Sequence, residues 1–153
     1  MRYTIAVLSM AILGGSLLSA CDSSGVESAN AESATSQRQQ DMQQILRGGR
    51  IYQQNCAVCH GKLAQGADNW RQRVDGKFPP PPLDGTGHTW HHPHRQLVEV
   101  IKNGTAALGG NMPAWEGKLT DEEIEAVLAW IRAQWPDEIH AEWQKINRRA
   151  ERN

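Results

Sequence analysis

The chain has 153 residues, a formal charge of −1 and 39% apolar residues. This length allows one domain with an appendage and is too short for two independent cores. Thirteen of the apolar residues lie in the first 20 positions, so only about 35% of the later residues are apolar, which is lean for a self-sufficient core. The near-neutral charge excludes strong non-specific attraction to nucleic acid, so we expect no nucleic-acid partner.

The first 20 residues have the pattern of a secretory signal peptide. Arg2 precedes an apolar run over residues 5–18, which is too short to span a bilayer unaided. The run ends in Leu-Ser-Ala-Cys at 18–21, which resembles the lipobox of bacterial lipoproteins. We therefore expect residues 1–20 to be removed and Cys21 to become lipidated. The alternative is ordinary cleavage that leaves Cys21 with a free thiol.

The residues after the expected cleavage site are small and polar. Asp22 directly follows the lipidation site, and resemblance to enterobacterial lipoproteins implies retention at the periplasmic side of the inner membrane. Val26 is the one large apolar residue between 22 and 36, so this segment cannot bury enough surface to order itself. Residues 21–36 are thus predicted to be a flexible tether that carries the lipidated Cys.

A C-x-x-C-H motif at 56–60 carries the chemistry. The thiols of Cys56 and Cys59, three positions apart on a helical turn, can add to the two vinyl groups of one haem, and His60 can then supply an imidazole to the iron. One lipid and two thioethers use all three cysteines of the chain, whereas any disulfide scheme leaves an odd thiol. We therefore expect one covalent haem c.

The two thiols have three alternative roles. A thioredoxin-like dithiol requires a strand-helix-strand context, but this motif has a helical pattern before it and glycines after it. A zinc site requires a second pair of Cys or His at matching spacing, and no cysteine follows Cys59. A structural disulfide is chemically possible in an exported protein. The adjacent histidine favours haem over all three.

Met112 is the candidate for the second axial ligand of the iron, because no other methionine follows the haem motif. It lies in the sequence Gly-Gly-Asn-Met-Pro at 109–113, where a flexible approach is ended by a rigid residue. Such a loop suits a thioether that must be presented to the haem, and it is poor material for an apolar core. A His/Met pair is typical of electron-transfer haems.

The rest of the sequence predicts four helices, and its many glycines and prolines argue against long strands. The first covers about 38–55, and a short one follows Pro93 and ends at Asn103-Gly104. The third begins with Thr120 as N-cap and stops before Pro136. The fourth, over about 136–152, has one apolar stripe and is expected to cover the surface of the domain; docking of a partner is the alternative.

With these motifs, the sequence resembles a class I cytochrome c over about 37–135. In that family, a glycine and an aromatic residue before the first haem cysteine pack against the closing helix, and Gly48 and Tyr52 occupy these places. Val127 and Trp130 match the apolar and aromatic pair of the closing helix. The resemblance implies an all-α class I cytochrome c fold around one haem, with residues 136–153 as an additional C-terminal helix.

The same resemblance implies two details outside the helices. A proline carbonyl accepts a hydrogen bond from the haem-ligating histidine, and Pro80, Pro81 and Pro82 are equal candidates for it. The segment at 87–93 resembles a Gly-His-Thr-Trp-His-His-Pro element of small bacterial single-haem cytochromes.

We expect an exported, membrane-anchored electron carrier rather than an enzyme, which passes single electrons between redox proteins of the cell envelope, such as a terminal oxidase. In one alternative, Met112 dissociates and the iron acts as a peroxidase or gas sensor. In another, the histidine-rich segment binds copper or zinc, or supplies the second haem ligand in place of Met112; its histidines are His88, His91, His92 and His94. A haem at the centre would also explain the lean composition.

Overall fold

Five α-helices follow one another in the computed structural model, which describes residues 24–152, with side chains from residue 30 onward. Short 3₁₀ turns lie at Thr89–His91 and Ala106–Leu108, and within the described range the only β-type pairings are two isolated bridges. The fold is all-α, as expected. The helices are α1 (Ser24–Asn55), α2 (Ala57–His60), α3 (His94–Asn103), α4 (Asp121–Arg132) and α5 (Asp137–Glu151).

Helix α1 begins much earlier than the sequence predicts. Its 32 residues include most of the segment expected to be a flexible tether, which is helical from Ser24 onward. Residues 24–36 include three alanines and two glutamates, which are good helix formers, and extending an existing helix costs less than nucleating a new one. All side chains at 30–44 are exposed, so this part of α1 buries nothing against the domain. The signal peptide at 1–20 and Cys21 lie outside the described residues.

Helices α1 and α4 form the central pair of the fold. A Cβ added at Gly48 would overlap the carbonyl oxygen of Ala126, so only glycine permits the two backbones to approach this closely. One turn later, the fully buried ring of Tyr52 lies on the ring of Trp130, with the two centroids 4.2 Å apart. The contact expected between the first helix and the closing helix is therefore present.

Local signals define the ends of α3 and α4. At the start of α4, Thr120 Oγ1 accepts a hydrogen bond from Glu123 N (3.3 Å), and Glu123 Oε2 accepts one from Thr120 N (3.0 Å). This reciprocal pair is the predicted capping box. Helix α3 starts directly after Pro93 and ends before Gly104, which has a φ of +67°. Both helices confirm the prediction from sequence.

The C-terminal helix α5 is packed onto the domain. Trp143 is only 7% exposed, and its Nε1 donates to the carbonyl oxygen of His92 (3.0 Å). The backbone nitrogen of His94 donates to Asn147 Oδ1 (2.9 Å), so a second residue of α5 holds the same segment. The helix therefore covers the domain's surface, as expected, and fixes the entry to α3.

The core connects four of the helices and the loop at residue 64. Partly buried apolar residues surround it, among them Cys56, Trp90 and Met112. The cluster of buried residues comprises Ile51, Tyr52, Ala64, Leu97, Ile101, Ile124, Val127, Leu128, Ile131, Trp135 and Trp143.

No helix in residues 24–152 combines the length and the apolar character that crossing a membrane requires.

Candidate haem-attachment site

The C-x-x-C-H motif lies where α1 passes into α2. Cys56 N donates to Tyr52 O (2.8 Å) and His60 N donates to Cys56 O (2.9 Å), so helical hydrogen bonding continues across the junction. Both thiols are free, Cys56 being half-buried and Cys59 exposed. The motif thus presents two thiols and an imidazole on consecutive helical turns.

Burial, together with the neighbouring Cys59, raises the pKa of the Cys56 thiol to about 11. A thiol with such a pKa stays protonated at neutral pH. A redox-active dithiol of the thioredoxin type needs the opposite, a lowered pKa that makes one thiol a ready nucleophile. The environment of Cys56 therefore argues against that alternative role.

His60 is oriented by the backbone of Pro81. His60 is 9% exposed, and its Nδ1 lies 3.0 Å from the carbonyl oxygen of Pro81. Because a carbonyl can only accept, Nδ1 carries the proton, which leaves the lone pair on Nε2. Burial lowers the pKa of His60, and the bond to Pro81 opposes this effect only in part. A neutral imidazole with one nitrogen fixed is the form that binds metals.

The proline run supplies a row of hydrogen-bond acceptors. The prolines at 79–82 have no backbone N–H, so they can hydrogen-bond to their neighbours only through carbonyl oxygens. The four consecutive carbonyl oxygens at 80–83 each accept a hydrogen bond from a different part of the chain, and these bonds hold the run in place. The donors are Ala67 N to Pro80 (2.9 Å), His60 Nδ1 to Pro81 (3.0 Å), Thr89 Oγ1 to Pro82 (3.4 Å) and Trp135 Nε1 to Leu83 (2.8 Å).

Met112 lies in a loop that folds back onto the end of α3. Its side chain is half-buried and packs against the buried cluster. Gly104 faces the loop, and a Cβ there would come within 2.5 Å of the carbonyl oxygen of Met112 and within 2.7 Å of Ala114 N. The absence of a side chain at Gly104 is therefore what allows this close approach.

The donor set fits a covalently bound haem. Two free thiols one turn apart can form thioethers, and the Nε2 lone pair of His60 and the sulfur of Met112 are suitable iron ligands. Cys56 and Met112 pack against the same core cluster, as do Trp90 and Trp115. The motif and the candidate second ligand therefore border one core.

The histidines of the histidine-rich segment contact several different residues. The ring of His88 stacks on Trp70 (5.5 Å between centroids) and meets His92 edge-on (5.6 Å), while His91 lies against Trp90 (3.9 Å). Across the described part of the chain, no group of three or more His, Cys, Asp or Glu side chains is placed to hold a metal ion. Among the described residues, the copper-binding alternative thus finds no preformed group of three or more such ligands.

His94 has a structural role that the sequence does not reveal. Its Nδ1 accepts from Arg132 Nη1 (3.1 Å), since a guanidinium can only donate, and its Nε2 donates to Glu125 Oε1 (2.8 Å). Burial lowers the pKa of Arg132, and Glu125 opposes that effect. His94 therefore joins α3 to α4 through two side chains that lie 31 and 38 positions away.

Comparison with known proteins shows the family of the chain. Residues 43–131 match the family model described as cytochrome C oxidase, cbb3-type, subunit III. The cbb3-type cytochrome c oxidase subunit CcoP of Azospirillum sp. (strain B510) is 36% identical over 91 residues, which cover 60% of this chain and 29% of CcoP. The chain therefore spans less than a third of the length of that relative.

Two smaller cytochromes are also similar. Cytochrome c-551 of Bacillus subtilis (strain 168) is 26% identical over 132 residues, 86% of this chain and 96% of the relative. Cytochrome c6 of Leptolyngbya boryana is 28% identical over 87 residues, 55% of this chain and 85% of the relative. No solved structure matches the chain significantly. Because the family model covers more than half of it, the chain belongs to the c-type cytochrome family of cbb3-type cytochrome c oxidase subunit III, and its cofactor is haem c.

Proposed function

We propose that the chain is an exported electron carrier with a single haem c, attached through Cys56 and Cys59 and ligated by His60 and Met112. The iron of such a haem stores and releases one electron at a time. The observation that carries the proposal is the buried His60 ring, which is held by the Pro81 carbonyl with Nε2 left to bind. A carrier of this kind needs no substrate pocket and no acid-base pair, and it is not itself an enzyme.

The surrounding residues suit rapid electron transfer because they hold both ligands in place. Pro81 fixes the orientation of the His60 ring and makes Nε2 a better donor to the metal. Met112 is presented by a loop whose backbone is bonded to the end of α3. Ligands held in this way move little between the two oxidation states. A thioether favours the reduced iron, so we expect a positive reduction potential.

The carrier is further proposed to be anchored by a lipid on Cys21 at the periplasmic side of the inner membrane. The lipobox-like sequence at 18–21 supports this anchor. A terminal oxidase is the proposed electron-transfer partner, since several similar proteins are named as CcoP or FixP subunits of cbb3-type cytochrome c oxidase. Redox proteins of the cell envelope would supply the electrons.

The haem attachment is tested with cysteine variants. Cys56→Ala and Cys59→Ala proteins should each keep one thioether, and the double variant should lose its haem under denaturing conditions. The measurements are the mass of the purified protein and an alkaline pyridine spectrum. A double variant that retained covalent haem would disprove the attachment sites.

The ligation is tested with Met112→Ala. A weak far-red absorption band, typical of Met-ligated ferric haem, should be present in the wild-type protein and absent from the variant. Met42→Ala is the matched control, since Met42 is 55% exposed on α1 and should not affect the band. A resting wild-type protein with five-coordinate, high-spin haem would contradict the proposal and favour a peroxidase or gas sensor.

The anchor is tested with Cys21→Ser. The wild-type protein should fractionate with membranes and have a mass that includes acyl chains above the haem-loaded polypeptide from residue 21 onward. The variant should be released from the membrane fraction with its haem spectrum unchanged. A wild-type mass without acyl chains would contradict the proposed lipid anchor but not the proposed electron-transfer function.

A further inference from the structure

Thr105 holds the backbone of Met112 from both sides. Thr105 N donates to Met112 O (3.0 Å), and Met112 N donates to Thr105 Oγ1 (3.0 Å). The carbonyl oxygen of Thr105 accepts a third bond, from Gly110 N (2.8 Å). Both backbone polar groups of Met112 are thus occupied by one residue, seven positions earlier in the chain.

The rest of the loop has few other restraints close to Met112. The preceding Gly109 and Gly110 have wide conformational freedom, and Leu108 is 78% exposed. On the far side, Trp115 N donates to the carbonyl oxygens of Ile101 (3.1 Å) and Lys102 (3.0 Å), which ties the end of the loop to α3. Between the two glycines and Trp115, the hydrogen bonds from Thr105 set the position of Met112.

The hydroxyl of Thr105 is the part of this arrangement that a mutation can remove cleanly. Pro113 follows Met112 and has no N–H, so the amide of Met112 is the last donor before the chain becomes rigid. Without the hydroxyl, this amide loses its acceptor while the bond from Thr105 N to Met112 O remains. The loop would then sample more conformations, because fewer of its backbone angles are fixed.

We propose that Thr105 is a positioning residue for the methionine ligand, and that its hydroxyl increases the fraction of molecules in which the loop holds the sulfur of Met112 at the iron. This inference rests on the proposed ligation by Met112. Thr105 belongs neither to the haem motif nor to the ligand pair, and it acts on the ligand through the backbone of Met112.

The test measures how easily an external ligand displaces Met112. The ferric holoprotein of wild type, Thr105→Val, Thr105→Ser and Met112→Ala is titrated with imidazole. Binding is followed through the main haem absorption band in all four proteins, and through the far-red band where that band is present. Valine keeps the branched shape and the backbone N–H of threonine but has no acceptor, whereas serine keeps the hydroxyl. Thr86→Val is the matched control, since the hydroxyl of Thr86 donates to Asp84 Oδ1 (2.6 Å) in an exposed turn.

We expect Thr105→Val to bind imidazole roughly threefold to tenfold more tightly than wild type, which corresponds to the loss of one hydrogen bond. Thr105→Ser and Thr86→Val should stay within about twofold of wild type, since each keeps the bond from Met112 N. If Thr105→Val does not assemble with haem, Thr105→Ala is measured in its place and should give the same increase.

Two results would overturn the role of Thr105 while leaving the ligation intact. One is an unchanged imidazole affinity in the valine variant when Met112→Ala has lost the far-red band. The other is a lower thermal midpoint of Thr105→Val with unchanged imidazole affinity, which would make Thr105 merely structural. If instead wild type lacks the band and binds imidazole like Met112→Ala, the ligation by Met112 fails, and the inference fails with it.

Discussion

Gly48 lies so close to Ala126 that a Cβ at this position would overlap the Ala126 carbonyl oxygen. Replacing Gly48 with alanine must therefore push α1 away from α4. We expect Gly48→Ala to lower the free energy of unfolding by about 3 kcal/mol, at the upper end of the range for overpacked cores. Denaturant unfolding of the holoprotein measures this. Gln54→Ala, at an exposed position of the same helix, should be neutral; equal effects of both would show that the contact is not required.

The capping box of α4 should make a measurable contribution to stability. Thr120→Ala removes the oxygen that accepts from Glu123 N, so we expect a loss of about 1 kcal/mol. Thr35→Ala is the control, because Thr35 lies within the exposed part of α1 and its hydroxyl bonds only within that helix, to Ala31 O and to the exposed Arg38. Urea titrations of both variants compare the two hydroxyls, and a larger loss in the Thr35 variant would refute the assignment.

Docking of α5 depends on the indole of Trp143. Phenylalanine at this position keeps most of the apolar contact but leaves the carbonyl oxygen of His92 without its donor, so we expect a loss of about 1–2 kcal/mol. Alanine should cost about 3–5 kcal/mol. The exposed neighbour Gln144 provides the control as Gln144→Ala. Thermal unfolding of the three variants measures these effects. Equal midpoints for all three would contradict the role of Trp143 in docking.

His94 should be more important for stability than the other histidines of its segment. His94→Ala leaves the partly buried guanidinium of Arg132 without an acceptor at 3.1 Å, so we expect a loss of about 2 kcal/mol. His91→Ala, at an exposed position beside Trp90, should change the stability little. Unfolding of both proteins with denaturant gives the comparison, and the reverse order of effects would be inconsistent with the structure.

Loss of the haem should destabilise the whole domain. The described core cluster has eleven buried residues, and several residues at its edge belong to the candidate haem site. We expect the Cys56→Ala, Cys59→Ala double variant, stripped of haem, to lose cooperative thermal unfolding as followed by circular dichroism. Met112→Ala, which keeps the covalent attachment, should still unfold cooperatively. A fully cooperative haem-free protein would mean that the polypeptide alone forms a sufficient core.

The features that the sequence predicts correctly depend on neighbours within a few positions. The capping box at Thr120, the helix end at Gly104 and the helical turn of the C-x-x-C-H motif each involve residues three or four apart. Such contacts follow from the geometry of a single helix, so the residue types are sufficient to locate them.

The features that the sequence does not determine depend on how distant segments meet. Pro80, Pro81 and Pro82 are chemically equivalent in the sequence, and only the register of the run against His60 selects Pro81. Likewise, nothing in the sequence near His94 points to Glu125 or Arg132. Thr105 could be noticed only as a residue with a hydroxyl beside a glycine, a pattern too common to indicate a hydrogen bond seven residues away.

The unbroken helix α1 couples the N-terminal part of the chain to the domain in a specific way. Because residues 24–55 form one helix, any rotation of its exposed half is transmitted directly to the half that packs on α4. A flexible linker would absorb an added residue. In this helix, by contrast, one residue inserted within 30–44 would turn the preceding residues of α1 by about 100° around the axis relative to the domain. The exposed half thus specifies an angular orientation as well as a distance.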